Sequence, residues 1–209
     1  FASTTSDFTD DLARSPRHRS VNRWRLEKKD PNAAVSEPVK PITFWIENTT
    51  PVELRPAIRE GVLRWNEAFE TAGFTNAVVV KEQPDTATWD AGDLRYNVLR
   101  WTASPTPPFG GYGPSFTNPR TGQILGADIM LEFIFVSNRL LQSELFDVAG
   151  QSMALSSDQS AADGCAAQSL MQQQTLLGVA ALQLEGASDA EINAFVQQAV
   201  ISLVLHEVG

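Results

Sequence analysis

One run of the sequence, Ile42–Glu82, restricts the fold more than any other. It opens with "ITFWIEN" (Ile42–Asn48), which is β-branched, aromatic and almost continuously apolar, the composition of a strand covered on both faces. In the following "PVELRPAIREGVLRWNEAFETAGF", Leu54, Ile58, Val62, Trp65 and Phe69 recur at spacings of three and four. This predicts a helix with one apolar face, off which Arg55, Arg59, Glu60, Arg64 and Glu67 largely fall. Gly73 suits the position just past its end. "NAVVVKE" (Asn76–Glu82) then reads as a second buried strand. Strand, helix and strand in so short a span form a βαβ unit, which requires parallel pairing and a right-handed crossover.

Further along, "LRYNVLRW" (Leu94–Trp101) reads as a third strand, with Leu94, Tyr96 and Val98 alternating against polar neighbours. "SPTPPFGGYG" is a Pro/Gly loop. Strands near 112–117 and 123–132 flank the tight turn Asn118-Pro119-Arg120-Thr121-Gly122, as in a β-hairpin. Gly113 and Pro114 mark the first of these strands as a sheet edge. From Ile134 the period becomes helical: "FVSNRLLQSELFDVAG" reads as a helix ending at Gly150, "QSMALSSDQSAAD" as a loop, and Cys165–Gly186 as a second helix. A last helix opens at Ser188, whose S-x-x-E spacing to Glu191 is a capping box. No internal repeat is found.

The first 41 residues have a different character. Residues 1–20 are Ser/Thr/Asp/Arg-rich without periodicity and read as a lead-in lacking regular structure, and "DPNAAVSEPVKP" (30–41) as an extended connector, so the compact domain is expected over 42–209. Charge follows the same division: residues 1–29 carry +3 and residues 30–209 carry −12. An acidic body argues against nucleic-acid binding there. The basic cluster Arg14, Arg17, Arg19, Arg23, Arg25, Lys28 and Lys29 lacks aromatic stacking partners, so it is expected to lie on the acidic body through ion pairs. The single Cys165 has no disulfide partner within the chain. No apolar run reaches the length of a membrane span. Phe1 stands where an initiator Met would, so the chain reads as a processed or excised piece.

The last helix contains one irregularity. Ile192, Phe195, Val196, Ala199, Val200, Leu203 and Val204 form an unbroken apolar stripe, with Asn193, Gln197 and Gln198 on the polar face. At 100° per residue His206 and Glu207 project near the centre of the stripe, where polar groups are costly unless paired or bound. His-Glu begins the pattern H-E-x-x-H, which on a helix places two imidazoles on one face for zinc and a carboxylate beside the metal-bound water. Val208 and Gly209 fill the two spacer positions. His18, the only other histidine, is a poor candidate ligand.

Taken together, "RWRLEKKDPNAAVSEPVKPITFWIENTTPVELRPAIREGVLRWNEAFETAGFTNAVVVKEQPD", "RYNVLRW", "GPSFTNPRTGQILGADIML" and the terminal "HEVG" resemble a bacterial family of zinc-dependent metalloproteases of the metzincin type. The likeness covers 23–132 closely and 188–209 well, and is weak over 133–187, which reads as a helical insertion. The resemblance implies an α/β subdomain: a twisted, five-stranded, mostly parallel sheet with an antiparallel edge strand, a backing helix and an active-site helix. It implies His206 as the first ligand of Zn2+, Glu207 as the general base, and Tyr112, Gly113, Pro114, Ser115 and Phe116 as the edge that receives an extended peptide or protein substrate. It also implies a secreted, periplasmic or cell-envelope location. The second and third His of the family motif and its Met-turn have no counterpart here, so the chain is expected to be an N-terminal piece of a longer hydrolase, inactive without its C-terminal remainder. A gluzincin, with Glu as third ligand, also fits "HEVG". The alternative from another class is a non-catalytic peptide-binding module that uses the same sheet edge.

Overall fold

A computed structural model of the chain describes residues 2–6, 9, 17–104, 111–132 and 166–209. In chain order the elements are β1 (Ala2–Ser6), β2 (Arg17–Val21), β3 (Ile42–Ile46), α1 (Arg55–Leu63), α2 (Trp65–Thr71), β4 (Val78–Glu82), β5 (Asn97–Thr102), β6 (Gly111–Tyr112), β7 (Ser115–Thr117), β8 (Ile124–Glu132), α3 (Ala166–Leu184) and α4 (Asp189–Val208). The helix expected to end at Gly150, the loop after it, Cys165 and most of the Pro/Gly loop before Gly111 lie outside the described residues.

The class is α/β, with a mixed sheet in the order β4-β3-β5-β8-β6 and β7 also paired to β8. β3 runs parallel to both β4 and β5, as the strand-helix-strand pattern requires. β6 and β7 run antiparallel to β8. The sheet has six strands rather than five because the edge segment is split. Pro114 has no N–H to give the ladder, although its carbonyl still accepts from Asp128 N at 3.1 Å. The register is kept on either side, Tyr112 facing Met130 and Ser115 facing Ala127.

Three expectations need correction. The lead-in is not without regular structure: Ala2–Ser6 pairs antiparallel with Arg17–Val21, a pairing of Ser, Thr and Arg residues that carries no hydrophobic signal. The third strand starts at Asn97, not Leu94, because Asp93 folds the preceding residues into a turn. Its Oδ1 accepts from Arg95 N at 3.0 Å and its carbonyl from Tyr96 N at 2.9 Å. The single helix expected after residue 51 is two, α1 and α2, joined at Arg64, where Glu67 N bonds Arg64 O in a tightened turn. α1 buries Ala57, Ile58, Gly61 and Val62, whereas α2 buries none of its residues, so Trp65 and Phe69 are only half-buried.

The chain divides into two compact units. The first comprises Phe1–Asn48, Leu63–Leu99 and Gly113–Ile129. Its core is Ile42, Phe44, Ile46, Val78, Val98, Leu99 and Ile129. Asn66 locks α2 to β4 by a paired bond with the Val78 backbone, and the Asn97 amide reaches both Thr43 O and Ala127 N. The expected connector is tied into this unit, with Ser36 hydrogen-bonded to Gly73 and Thr75, and Arg23 to Gly122 and Ile124. Within the basic cluster Arg25 pairs with Glu27 and Lys29 with Glu37, both close in the chain, while Lys28 Nζ donates to the Ala33 and Ala34 carbonyls.

The second unit comprises Thr49–Val62, Arg100–Tyr112 and Met130–Gly209. Gly61 of α1 meets α4 so closely that a Cβ there would stand 2.8 Å from both Ile201 O and Val204 Cβ. α3 and α4 form a helical hairpin around Val179, Ile192 and Val196, with the Phe195 ring over Gly178. α3 stops at Gly186, whose φ of +76° and reversed bonds, Gly186 N to Gln183 O and Ala187 N to Leu182 O, make a left-handed cap. No helix among the described residues is long and apolar enough to cross a membrane.

Candidate active site

α4 carries the candidate residues, and its start is fixed locally. Ser188 Oγ accepts from Glu191 N, and Glu191 Oε2 accepts from Ser188 N at 2.8 Å, closing the expected capping box. The helix then buries Ile192, Val196, Val200, Leu203 and Val204, members of the stripe read from the sequence. It also buries Ile201, outside that stripe, because α1 crosses there at Gly61. Gln197 is not a solvent-facing residue only: its Nε2 donates to Glu53 O at 3.1 Å.

In the last turn the helical-wheel expectation fails in part. His206 is exposed and Glu207 half-buried, rather than both lying at the centre of a buried stripe. β6 packs beside this turn on the Glu207 side, which leaves the imidazole outward. The carboxyl end of Glu207 lies directly on Gly111: a Cβ built there would be 3.0 Å from Cγ, 3.1 Å from Oε1 and 3.2 Å from Cδ of Glu207. Gly111 is itself held by pairing with Leu131.

The expected substrate edge lies at the side of the sheet. Tyr112 is 50% and Phe116 39% exposed, Ser115 is exposed, and Gly113 and Pro114 are half-buried. Tyr112 directly follows the glycine on which Glu207 rests, so helix end and strand edge meet at Gly111–Tyr112. Gly113–Phe116 continue along β8, with Ser115 and Phe116 opposite Ala127 and Gly126.

Two residues of this unit escaped sequence reasoning. Gly111 sits inside a Pro/Gly loop pattern that hides its role. Glu132, at the end of β8, is 3% exposed and fully engaged: Oε1 accepts from Thr102 Oγ1 and Ser104 Oγ, both at 2.7 Å, and Oε2 from Ser104 N at 3.1 Å. Burial alone would push its carboxyl up, but the bonds from Ser104 and Thr102 outweigh burial and hold it below the usual range. The available signal was a carboxylate closing the apolar run "DIML".

A catalytic zinc takes three protein ligands and keeps one position open. Among the described residues no three His, Cys, Asp or Glu side chains stand together, and His206 supplies one imidazole. Glu132 is committed to Thr102 and Ser104, and His18 lies in β2. The described residues alone therefore do not fit a complete zinc site. What they bring together is the half-buried carboxyl of Glu207 against Gly111 of the strand edge, with the exposed His206 as its neighbour in the chain. No family model, curated protein or solved structure matches the chain.

Proposed function

We propose that the chain is the N-terminal subdomain of a zinc-dependent endopeptidase of the metzincin type, with His206 as the first metal ligand and Glu207 as the general base. The observation that supports it is the placement of the Glu207 carboxyl on Gly111, beside the sheet edge that begins at Tyr112. An extended peptide adds to such an edge through main-chain hydrogen bonds. Glu207 then takes the proton of the water that forms the new C–O bond. It returns that proton to the amine nitrogen as the C–N bond breaks. The metal supplies Lewis acidity in such enzymes, and this reading needs two ligands beyond His206.

The test is Glu207→Gln in the intact protein, assayed on unstructured polypeptide with metal content measured in parallel. Hydrolysis should disappear while zinc is retained; full activity in the variant would refute the role. A non-catalytic peptide-binding module uses the same edge, and an intact protein that binds peptide yet never cleaves it would favour that reading.

A further inference from the structure

We infer that the outer face of α3 pairs with the same face of a second copy of this chain, a role separate from peptide hydrolysis. Leu170, Leu177 and Leu184 are 56%, 70% and 91% exposed and stand seven residues apart on this helix. Gln174 and Ala181, also exposed, fall between them, so the outward positions 170, 174, 177, 181 and 184 alternate in steps of four and three. At 100° per residue they stay within a sector of about 80° and run for about 21 Å along the helix. A four-three repeat with leucine at every second place is the seam of a two-helix coiled coil. The other side of α3 is already used: Thr175 and Val179 are buried, Leu182 packs on the hairpin core, and Gly178 lies under the Phe195 ring of α4. The hairpin therefore holds the helix in place beforehand, and pairing does not have to meet the cost of forming it.

The charge pattern selects the occupant. The chain carries −9 overall, yet Ala166–Leu184 contains no Asp, Glu, Lys or Arg. Charges beside a seam choose an oppositely charged partner and repel a like one. Here the flanks carry none, so two acidic chains meet along α3 without like charges facing each other on the helix. The amides of Gln173 and Gln174, both exposed, each donate and accept, which makes the face complementary to itself. An anionic lipid surface fits less well, because helices that lie on one carry Lys and Arg on their polar face. Leu177 is midway between Leu170 and Leu184, so a twofold axis brings it against its own counterpart whether the two helices run parallel or antiparallel.

Sedimentation equilibrium of the intact protein over a range of concentrations compares the wild type with Leu177→Glu, Leu184→Glu and Leu94→Glu. Leu94, 60% exposed in the other compact unit, controls for the loss of any surface leucine. The wild type and Leu94→Glu should rise from the mass of one chain to that of two. Both α3 variants should weaken the dissociation constant at least about 10-fold, with circular dichroism and thermal midpoint unchanged. Leu184, the most exposed of the three, gives the variant least able to disturb the fold. A wild type that stays at the mass of one chain throughout would overturn the inference and leave the stripe to another part of the same protein; so would binding of that monomer to lipid vesicles, which would assign it to a membrane surface. A two-chain mass that both α3 substitutions leave unchanged, or that Leu94→Glu weakens as much, would overturn it as well.

Discussion

Glu132 at the end of β8 and Glu207 in the last turn of α4 belong to the same compact unit, yet the fold treats them in opposite ways. Glu132 is buried and receives three hydrogen bonds from two residues, Thr102 at the end of the adjacent strand β5 and Ser104 just past it. Each such bond to a charged group contributes more than a neutral one, and removing the carboxylate strands its donors. Glu207 is half-buried against a strand glycine, with its chain neighbour His206 exposed. A buried carboxylate that accepts three protein hydrogen bonds is a structural anchor, whereas Glu207 is only half-buried and lies where the sheet edge begins.

The largest effect should come from Glu207→Gln, with hydrolysis by the intact protein falling about 10²–10⁴-fold. Full retained activity would break the contrast, because it would remove the catalytic side of it. Next is Glu132→Ala, expected to destabilise by about 2–3 kcal/mol in urea titration. A loss under about 0.5 kcal/mol would show that the network around Ser104 stabilises little.

The pH dependence of Glu132 sharpens the same point. Its folded carboxyl titrates below its unfolded value, so its contribution is complete above roughly pH 4.3 and is lost as pH falls through the lower folded value. The stability gap between wild type and Glu132→Ala should therefore be constant near neutrality and narrow in acid; a gap that widens in acid contradicts the assignment. The smallest effect is at Glu191, an exposed carboxylate held below its usual range by the Ser188 backbone and hydroxyl. Ser188→Ala should cost about 1 kcal/mol, read as a fall of about 2–4 °C in the thermal midpoint.

Much of the fold was legible because its signals are local. The turn at Asn118–Gly122 forms as expected, with Gly122 at φ +72° and Gly122 N bonded to Asn118 O. Gly73, at φ +87°, ends α2 with Phe74 N bonded to Phe69 O. The alternation read over Leu94, Tyr96 and Val98 does not describe the third strand, because both Val98 and its neighbour Leu99 are buried while Leu94 is exposed: β5 lies within the sheet and is covered on both faces. The β1–β2 pairing was not legible, because a pairing of Ser, Thr and Arg has no hydrophobic register to read. At the candidate site, the residue types at 206 and 207 and the edge character of 112–116 came from the sequence. The exposure of His206 did not, because a helical wheel assumes that every turn of a helix is covered alike, and β6 covers only one side of this one.

The sequence by itself determined what short-range chemistry controls: strand or helix from apolar period, helix ends from Ser188, Glu191, Gly73 and Gly186, and a parallel βαβ start. Tertiary structure alone decided that Glu132 is sealed and Glu207 only half-buried. That outcome depends on pairings such as Gly111 with Leu131 and Thr102 with Glu132, separated by about 20 to 30 residues in the chain. No local propensity encodes such distances, so the burial of Glu132 and the contact of Glu207 with Gly111 emerge only when strands and helix end are packed together.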